Sequence, residues 1–262
     1  MKTLVIRTDA HGNDFLLINE ADLPSGINRP SLARRLCRRS PGAGADGLIV
    51  YTIGVKATRM HLRNADGSYS EVSGNGVRCL AAWLADQRNL ADGAEIAIET
   101  DAGPRVLTLL ERDGRRFRFR ASMGQPAGIR RLVLDVNGEP VDVATLSVGN
   151  PQCIVLDRYG EAALQEIGGA LAVHPHFPEG TNVEFVRVDA PDKISILIWE
   201  RGVGPTASSG TGTCASAVAA ACFAGASRDL EVTAPGGTQR VEWLDDGLWL
   251  TGWAEVVEEI AM

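Results

Sequence analysis

The sequence feature that most constrains the fold is an internal repeat with a period close to half the chain. Three pairs of short turn motifs recur in the same order, at offsets of 137, 136 and 136 residues. The pairs are Gly12-Asn13 with Gly149-Asn150, Ala45-Asp46-Gly47 with Thr181-Asn182-Val183, and Ser73-Gly74-Asn75-Gly76 with Ser209-Gly210-Thr211-Gly212. Each pair alone is an ordinary turn sequence, but three in register predict two similar halves related by a pseudo-twofold axis.

Local patterns make both halves rich in β-strands, with only a few helices. Strand character is clearest in Phe15–Ile18, Gly47–Thr52, Glu95–Glu99, Arg105–Leu110, Gln152–Leu156, Asn182–Val188 and Ile194–Ile198. Helical periodicity occurs in Pro30–Arg38, Gly76–Gln87, Tyr159–Ala170 and Gly212–Phe223. The Gly- and Pro-containing stretch from residue 112 to residue 126 is a candidate crossing between the halves.

Charge and composition exclude several classes of function. The net charge of −7 and the pI near 5.2 argue against a nucleic-acid-binding protein, which needs a basic face. The one basic cluster alternates with apolar residues, which predicts a strand with one solvated face rather than a phosphate-binding patch. Its members are Arg112, Arg115, Arg116, Arg118 and Arg120. The longest largely apolar run, Cys214–Ala224, is too short to cross a bilayer and predicts a buried helix.

The cysteines and histidines indicate neither a disulfide framework nor a metal site. Five cysteines are present, an odd number, and no Cys-x-x-Cys pair occurs. A reducing, cytoplasmic location is therefore expected. His174 and His176 flank a proline in a loop without nearby cysteines, so a metal site there is the less favoured interpretation.

The two repeated Ser-Gly-x-Gly motifs open the two best helical patterns, and this position allows two interpretations. Serine is among the best N-cap residues, so Ser73 and Ser209 can be simple helix caps. Alternatively, the two helix starts approach one cleft from opposite sides and bind a carboxylate through their backbone N–H groups. Two proton-handling groups on opposite faces of one carbon are what inversion at that carbon requires.

Longer motifs give the chain a recognisable family resemblance. In order along the sequence they are residues 9–15, 44–48, 64–68, 71–79, 149–151, 180–183 and 200–212. These motifs resemble those of the diaminopimelate epimerase family, whose members interconvert LL- and meso-2,6-diaminopimelate in lysine and peptidoglycan biosynthesis.

The resemblance implies an α/β (α+β) fold of two pseudo-symmetric domains, each a curled, mostly antiparallel sheet around a central helix, with the active-site cleft between them. The implied domains are residues 1–115, completed by 251–262, and residues 116–250. It also implies a cytoplasmic homodimer that acts on a small amino-acid substrate without pyridoxal phosphate, metal or another cofactor.

The resemblance further implies a set of site residues. The catalytic positions are Ser73 and Ser209. The implied substrate-binding residues are Asn13, Asn64, Gly74, Asn75, Asn150, Asn182, Glu200, Arg201, Gly210 and Thr211. In that assignment backbone N–H groups at the two helix starts hold the reacting carboxylate. Asn64, Asn182 and Arg201 bind the distal amino-carboxylate end, and Glu200 takes the α-ammonium group.

The sequence departs from the family at the two positions that matter most for the chemistry. The family has cysteine, one thiolate base and one thiol acid, where this chain has Ser73 and Ser209. A serine hydroxyl keeps its proton far more tightly than a thiol, so strongly impaired turnover is expected. Gln152 stands where the family often has histidine, and it does not accept a proton at neutral pH. Cys79 and Cys214, inside the helices, are expected to be buried and unreactive.

Several explanations stay open for the two serines. The chain can be a natural homologue with altered chemistry, a natural pseudoenzyme, or a form in which both cysteines were replaced deliberately. The near-isosteric changes beside intact binding motifs favour the third. The functional hypotheses are accordingly an impaired diaminopimelate epimerase, a non-catalytic binder of an amino acid or dicarboxylate, and a racemase of another amino acid.

Overall fold

A computed structural model describes residues 3–40 and 42–262 and divides the chain into two compact units. Unit 1 comprises Met1–Ala121 with Gly252–Met262, and unit 2 comprises Ser122–Thr251. The predicted division at residues 115 and 116 falls in a turn between two strands, whereas the compact units divide within the second of those strands, after Ala121.

Unit 1 is a sheet with two helices. Its strands are β1 (Leu4–Ala10), β2 (Asn13–Asn19), β3 (Gly47–Ile53), β4 (Thr58–Asn64), β5 (Tyr69–Ser70), β6 (Glu95–Thr100), β7 (Gly103–Asp113) and β8 (Arg116–Gly124), joined by the end of β17 (Gly247–Ala261). Its helices are α1 (Arg29–Leu36) and α2 (Gly74–Arg88), with a 3-10 turn at Glu20–Asp22. Pairing along the sheet is antiparallel except for the β2–β3 and β4–β6 pairs.

Unit 2 has the same plan. Its strands are β9 (Ala127–Val136), β10 (Glu139–Ser147), β11 (Pro151–Val155), β12 (Asn182–Ala190), β13 (Lys193–Glu200), β14 (Gly204–Thr206), β15 (Asp229–Ala234) and β16 (Gly237–Leu244), with the start of β17. Its helices are α3 (Glu161–Ala163), α4 (Gly169–Ala172) and α5 (Gly210–Phe223), and a π-helical turn at Leu164–Gly168 joins α3 to α4. Here the parallel pairs are β11–β12 and β13–β15.

The two sheets match strand for strand. The order β1-β2-β3-β4-β6-β7 in unit 1 corresponds to β10-β11-β12-β13-β15-β16 in unit 2, with parallel pairs at the same two places. β5 corresponds to β14, and α2 to α5, each following its short strand. The duplicated topology confirms two similar halves and the mixed α/β class predicted for the chain. The strand register makes Gly47 the counterpart of Asn182, one residue away from the Asp46–Asn182 match read from the sequence.

The central helix of each unit is enclosed by its own sheet. In α2 every residue from Gly74 to Ala85 is buried, and in α5 every residue from Gly210 to Ala220. A helix that is buried on all sides has no water-facing stripe, so it is stable only inside a core. The other face of each sheet carries the shorter helices, α1 in unit 1 and the α3–α4 segment in unit 2.

Most predicted elements are present, with local differences. The predicted helix at Tyr159–Ala170 exists as the broken α3–α4 segment, in which the π turn packs against Trp199 on β13. In β8 the predicted alternation holds: Phe117 and Phe119 are buried, while Arg118 is exposed. Among the described residues, none of the helices is both long enough and apolar enough to span a membrane.

Candidate active site

Ser73 is the N-cap of α2. Its backbone is extended, with φ −130° and ψ 124°, and its Oγ accepts a 3.1 Å hydrogen bond from the Gly76 N–H. The cap satisfies one of the N–H groups that a helix start leaves without an intrahelical partner. The residues after it, Gly74 and Asn75, are buried in the first turn. We call Ser73, Gly74, Asn75 and Asn13 the Ser73 cluster.

Side-chain hydrogen bonds connect the Ser73 cluster to Asp46, the residue before β3. Asn75 Nδ2 donates to Asn13 Oδ1 at 3.2 Å, and Asn13 Nδ2 donates to Asp46 Oδ2 at 2.8 Å. Arg39 then pairs with Asp46 at 2.8 Å. On the inner side, the fully buried Arg78 donates to Asn75 Oδ1. The amides of both asparagines are therefore held in fixed orientations.

Asn64 ends β4 and lies opposite Gly47, the residue after Asp46, in the β3–β4 register. Its Nδ2 donates to Ser68 Oγ at 2.9 Å, and its backbone N–H donates to the Ser68 carbonyl at 3.0 Å. These bonds close the turn between β4 and β5. The sequence predicts a substrate contact for Asn64, while the contacts described for it are those of a turn residue.

Ser209 is the N-cap of α5, with the same geometry as Ser73. Its φ is −144° and its ψ 126°, and its Oγ accepts a 3.1 Å hydrogen bond from the Gly212 N–H. Its carbonyl also accepts from Thr213 Oγ1 at 2.6 Å. Gly210 and Thr211 follow it in a fully buried first turn. We call Ser209, Gly210, Thr211, Asn150 and Gln152 the Ser209 cluster.

Gln152 connects the strand side of the Ser209 cluster to its helix side. It is wholly buried, and one end of its side-chain amide lies 2.7 Å from Asn150 Oδ1 and 3.2 Å from Thr211 Oγ1. Gln152 pairs with Asn182 in the parallel β11–β12 register, so these polar residues meet at one sheet position. The sequence places Gln152 where the family often has histidine, and the structure gives it a central place in the network.

Asn182 fixes the residue predicted to bind the distal end of a substrate. Its Oδ1 accepts from the backbone N–H of Arg201 at 2.9 Å. The Arg201 guanidinium donates to the Glu179 carbonyl at 3.0 Å. A Cβ on Gly180, whose φ is +75°, would lie 3.0 Å from Arg201 Cδ, so glycine is needed there both for its backbone and for the arginine stem. Arg201 lines a pocket of about 610 Å³ with Trp199.

A buried carboxyl group lies beside the Ser209 cluster and was not predicted from the sequence. Glu184 on β12 is wholly buried, and its pKa is raised well above the ordinary value, first by burial and then by the negative charge of Glu200. A signal for it exists: alternation along β12 puts residue 184 on the same inward face as Asn182. A glutamate on the inward face of an apolar strand is uncommon and points to a specific environment.

Three of the cysteines are wholly removed from solvent. Cys79 and Cys214 are both wholly buried, as expected from the sequence, and burial raises the pKa of the Cys79 thiol to about 12. Burial also raises the pKa of Cys153, which lies near the Glu184 carboxyl. Within residues 3–40 and 42–262, no group of three or more His, Cys, Asp or Glu side chains is arranged to hold a metal ion.

Each cluster thus combines a capped helix start, a serine hydroxyl and oriented amides. Helix starts concentrate N–H donors and the positive end of the helix dipole, and both features favour a carboxylate. The serine hydroxyl uses its oxygen as an acceptor in the cap, so its proton is still available for donation. Neither hydroxyl is a base at neutral pH.

Comparison with known proteins decides the family. The family model described as diaminopimelate epimerase matches residues 6–128 and 144–257. The chain belongs to the diaminopimelate epimerase family. Among curated relatives, the diaminopimelate epimerase of Desulfitobacterium hafniense is 37% identical, covering 97% of this chain and 95% of that protein. The diaminopimelate epimerase of Desulforudis audaxviator is 39% identical, covering 94% of each.

Solved structures extend the similarity to the wider fold. A hydroxyproline epimerase from Agrobacterium vitis, solved with trans-4-hydroxy-L-proline, matches with a TM-score of 0.74 at 14% identity, covering all of this chain and 91% of that one. A phenazine biosynthesis protein of the PhzF family from Bacillus anthracis matches with a TM-score of 0.73 at 15% identity, covering 100% and 99%. At these identities the likeness concerns the fold alone.

Proposed function

We propose that the chain is an epimerase of 2,6-diaminopimelate whose turnover is strongly impaired by serine at both catalytic positions. The observation that supports this most directly is the matched pair of N-caps. Ser73 and Ser209 occupy equivalent positions in duplicated units, with the same extended backbone and the same 3.1 Å cap hydrogen bond. Epimerisation needs one proton-transferring group for each face of the α-carbon, and a duplicated unit supplies two.

The impairment follows from acidity. A free thiol has a pKa near 8.5, and a helix N-terminus lowers it into the working range. A hydroxyl in the same place keeps its proton at neutral pH, so it can donate but cannot withdraw a proton without an added base. General acid–base catalysis contributes about 10²- to 10⁴-fold to a rate, and losses of that order are expected here.

The remaining predicted residues divide between the two ends of the substrate. We assign the reacting carboxylate to backbone N–H groups at the starts of α2 and α5, and the distal carboxylate to Arg201, whose position Asn182 fixes. Glu200 is assigned to the α-ammonium group, and Asn64 to the distal end. In this proposal the enzyme uses no cofactor and works as a cytoplasmic homodimer, as the family resemblance implies.

Isotope exchange tests the proposal. The chain is incubated with LL-diaminopimelate in D₂O, and α-deuteration is followed by NMR, beside the Ser73→Cys/Ser209→Cys double variant. The double variant is expected to exchange and epimerise at least about 10²-fold faster than the chain as it stands. Absence of exchange in a folded double variant would reject the diaminopimelate assignment.

The intact binding residues beside two serines also support a second candidate, a non-catalytic binder of an amino acid or dicarboxylate. Calorimetry separates the two. Saturable binding of diaminopimelate by both forms, without exchange by the double variant, would establish the binder. If neither form binds diaminopimelate, a racemase of another amino acid becomes the favoured function, and a panel of amino acids in the same exchange assay would identify its substrate.

A further inference from the structure

The two helix starts differ in what lies beneath them. A Cβ built on Gly76, three residues after Ser73, would meet Ile49 Cδ1 at 3.1 Å and Phe15 Cζ at 3.6 Å. A Cβ built on Gly212, three residues after Ser209, would meet Glu184 Oε1 at 2.2 Å, with Ser209 Oγ 3.1 Å from the same point. One helix start therefore rests on apolar side chains, and the other on a carboxyl group.

Sheet register shows that these are equivalent positions. In unit 1 Phe15 on β2 pairs with Gly47 on β3, and Ile49 lies two residues beyond Gly47. In unit 2 Gln152 on β11 pairs with Asn182 on β12, and Glu184 lies two residues beyond Asn182.

The duplicated fold thus holds a Phe–Ile pair under Ser73 and a Gln–Glu pair under Ser209. The difference is chemical, since both backbones follow the same plan.

The Gln152 amide can accommodate Glu184 with or without its proton. One end of the amide lies 3.2 Å from both Glu184 carboxyl oxygens, and the other end lies 2.7 Å from Asn150 Oδ1, 3.2 Å from Thr211 Oγ1 and 3.3 Å from Asn182 Nδ2. With the amide oxygen toward Glu184, a protonated carboxyl donates to it, and Gln152 Nε2 donates to Thr211. With the amide turned over, its NH₂ group donates to a carboxylate, its oxygen accepts from Asn182 and Thr211, and the Asn150 amide turns as well so that its nitrogen faces Gln152.

We propose that Glu184 is the proton reservoir for Ser209, so that the Ser209 cluster transfers protons while the Ser73 cluster does not. Glu184 acts through Ser209 and is a positioning residue; the inference rests on the proposed function. In the donating direction, the Ser209 hydroxyl proton forms the new C–H bond at the substrate α-carbon. The Glu184 carboxyl proton restores the hydroxyl, and the carboxylate left behind accepts from Gln152. In the reverse direction, the carboxylate withdraws the α-proton through the same hydroxyl.

Burial prepares the group for this task. A carboxyl wholly removed from water, near the charge of Glu200, has its pKa raised well above the ordinary value. A carboxyl whose pKa is raised toward the working pH is better suited to acid–base transfer than an exposed one. The neighbouring Cys153 is itself held as a neutral thiol by burial, so it does not compete for that role.

Single-cysteine variants test the asymmetry. In Ser73→Cys the new thiolate transfers protons on the face of the substrate α-carbon that has no proton reservoir. Ser209 and Glu184 act on the opposite face. In Ser209→Cys the new thiol stands above Glu184, and Ser73 still rests on Ile49 and Phe15. Epimerisation of diaminopimelate, followed by α-deuterium NMR and chiral chromatography, is expected to be at least about 10²-fold faster in Ser73→Cys than in Ser209→Cys.

A second substitution links the effect to the carboxyl. In the Ser73→Cys background, Glu184→Gln is expected to lower kcat about 10²-fold with KM unchanged, and Glu184→Asp to restore part of the loss. In the Ser73→Cys/Ser209→Cys background the same Glu184→Gln change is expected to lower kcat by a clearly smaller factor, because the second thiol carries its own proton. That background also reports whether Glu184→Gln has merely distorted the site.

Two results would overturn the proposal: equal rates in the two single-cysteine variants, or equal losses from Glu184→Gln in both backgrounds. If every single-cysteine variant is inactive while the double-cysteine variant epimerises diaminopimelate, the proton reservoir is rejected and the proposed function stands. An inactive but folded double-cysteine variant, in contrast, rejects the proposed function itself.

Discussion

Individual residues at the two helix starts perform structural and chemical tasks with the same atoms. Ser73 Oγ and Ser209 Oγ each accept a hydrogen bond from the N–H three residues on, which is the usual work of a serine cap. Their hydroxyl protons are not used in those bonds. A thiol in the same positions would be a better acid and base, whereas the serine is the better cap.

The buried Glu184 carboxyl gives the first prediction at this scale, because its pKa is raised by burial and by Glu200. In the unfolded chain the carboxyl ionises near its reference pKa of about 4.3, while the folded chain keeps the proton. Above that pH the unfolded state binds fewer protons than the folded state, so stability falls as pH rises, by at most about 1.4 kcal/mol per pH unit. The loss continues until the folded carboxyl ionises.

Urea unfolding at pH 5, 6 and 7 measures this effect against the Glu184→Gln variant, whose amide does not titrate. The free energy of unfolding of the parent chain is expected to fall relative to the variant across that range. All other titrating groups, Glu200 and Cys153 included, are common to both proteins, so the difference isolates residue 184. A pH-independent difference would contradict the raised pKa.

At the residue scale, the sequence alone identifies the asparagines of the candidate site but not the Glu184 carboxyl. Asn13 and Asn75, far apart in sequence, were both placed in the site, and the structure joins them at 3.2 Å. Glu184 was not recognised, because its importance depends on the register that sets β12 against β11 and on its position beneath α5. No local sequence motif indicates the β11–β12 register or the position of residue 184 beneath α5.

At the scale of elements, α2 and α5 depend on close contact with the strand residues beneath them. Gly212→Ala would put a Cβ 2.2 Å from the Glu184 carboxyl, which is itself buried and hydrogen-bonded. Gly76→Ala would put one 3.1 Å from the terminal Cδ1 methyl group of Ile49. Both glycines have ordinary helical backbones, so alanine would otherwise be favoured by up to about 1 kcal/mol.

The matched pair is therefore predicted to differ. Gly212→Ala is expected to destabilise the chain by about 1–3 kcal/mol through overpacking, whereas Gly76→Ala is expected to change its stability by less than about 1 kcal/mol in either direction. Chemical unfolding of the two variants under one buffer condition measures both. Similar losses would mean that the Glu184 carboxyl moves aside as easily as a methyl group.

Elements with strong local signals were predictable and those defined by pairing were less so. The helices at α2 and α5 were recognised from periodicity because capping motifs mark their starts. The π turn at Leu164–Gly168 was not, because what distinguishes it is packing: a Cβ on Gly168 would lie 3.1 Å from the Trp199 ring. The short strand β14 has three residues and no pattern of its own.

At the scale of the whole molecule, duplication explains why one sequence carries two closely matched clusters that differ in chemistry. The same order of strands places a capped helix start over the same pair of strand positions in each unit. Substitutions at those strand positions then change the chemistry without changing the fold. Phe15 and Ile49 give the start of α2 an apolar support. Gln152 and Glu184 give the start of α5 a polar support that includes a titratable carboxyl group.

The second part of β17 belongs to unit 1, and this gives a prediction for the whole molecule. Residues 252–262 pair with β1 through the register Thr8↔Val256 to Leu4↔Ala261 and bury Ala254 and Val256 in the unit 1 core. A chain ending after Thr251 would leave β1 with an open edge and that core with missing side chains, a combination that favours aggregation. Loss of soluble, folded protein is expected, measured by yield and circular dichroism.

Single substitutions of two neighbouring valines test the same strand without removing it. Val256 is 3% exposed and lies in the unit 1 core, whereas Val257 is 47% exposed at the register shift of the β1–β17 pair. Val256→Ala is expected to lower the free energy of unfolding by about 1–3 kcal/mol, because it leaves a cavity. Val257→Ala is expected to stay within about 0.5 kcal/mol of the parent chain. Equal effects of the two substitutions would show that the C-terminal strand stabilises unit 1 through its backbone pairing alone.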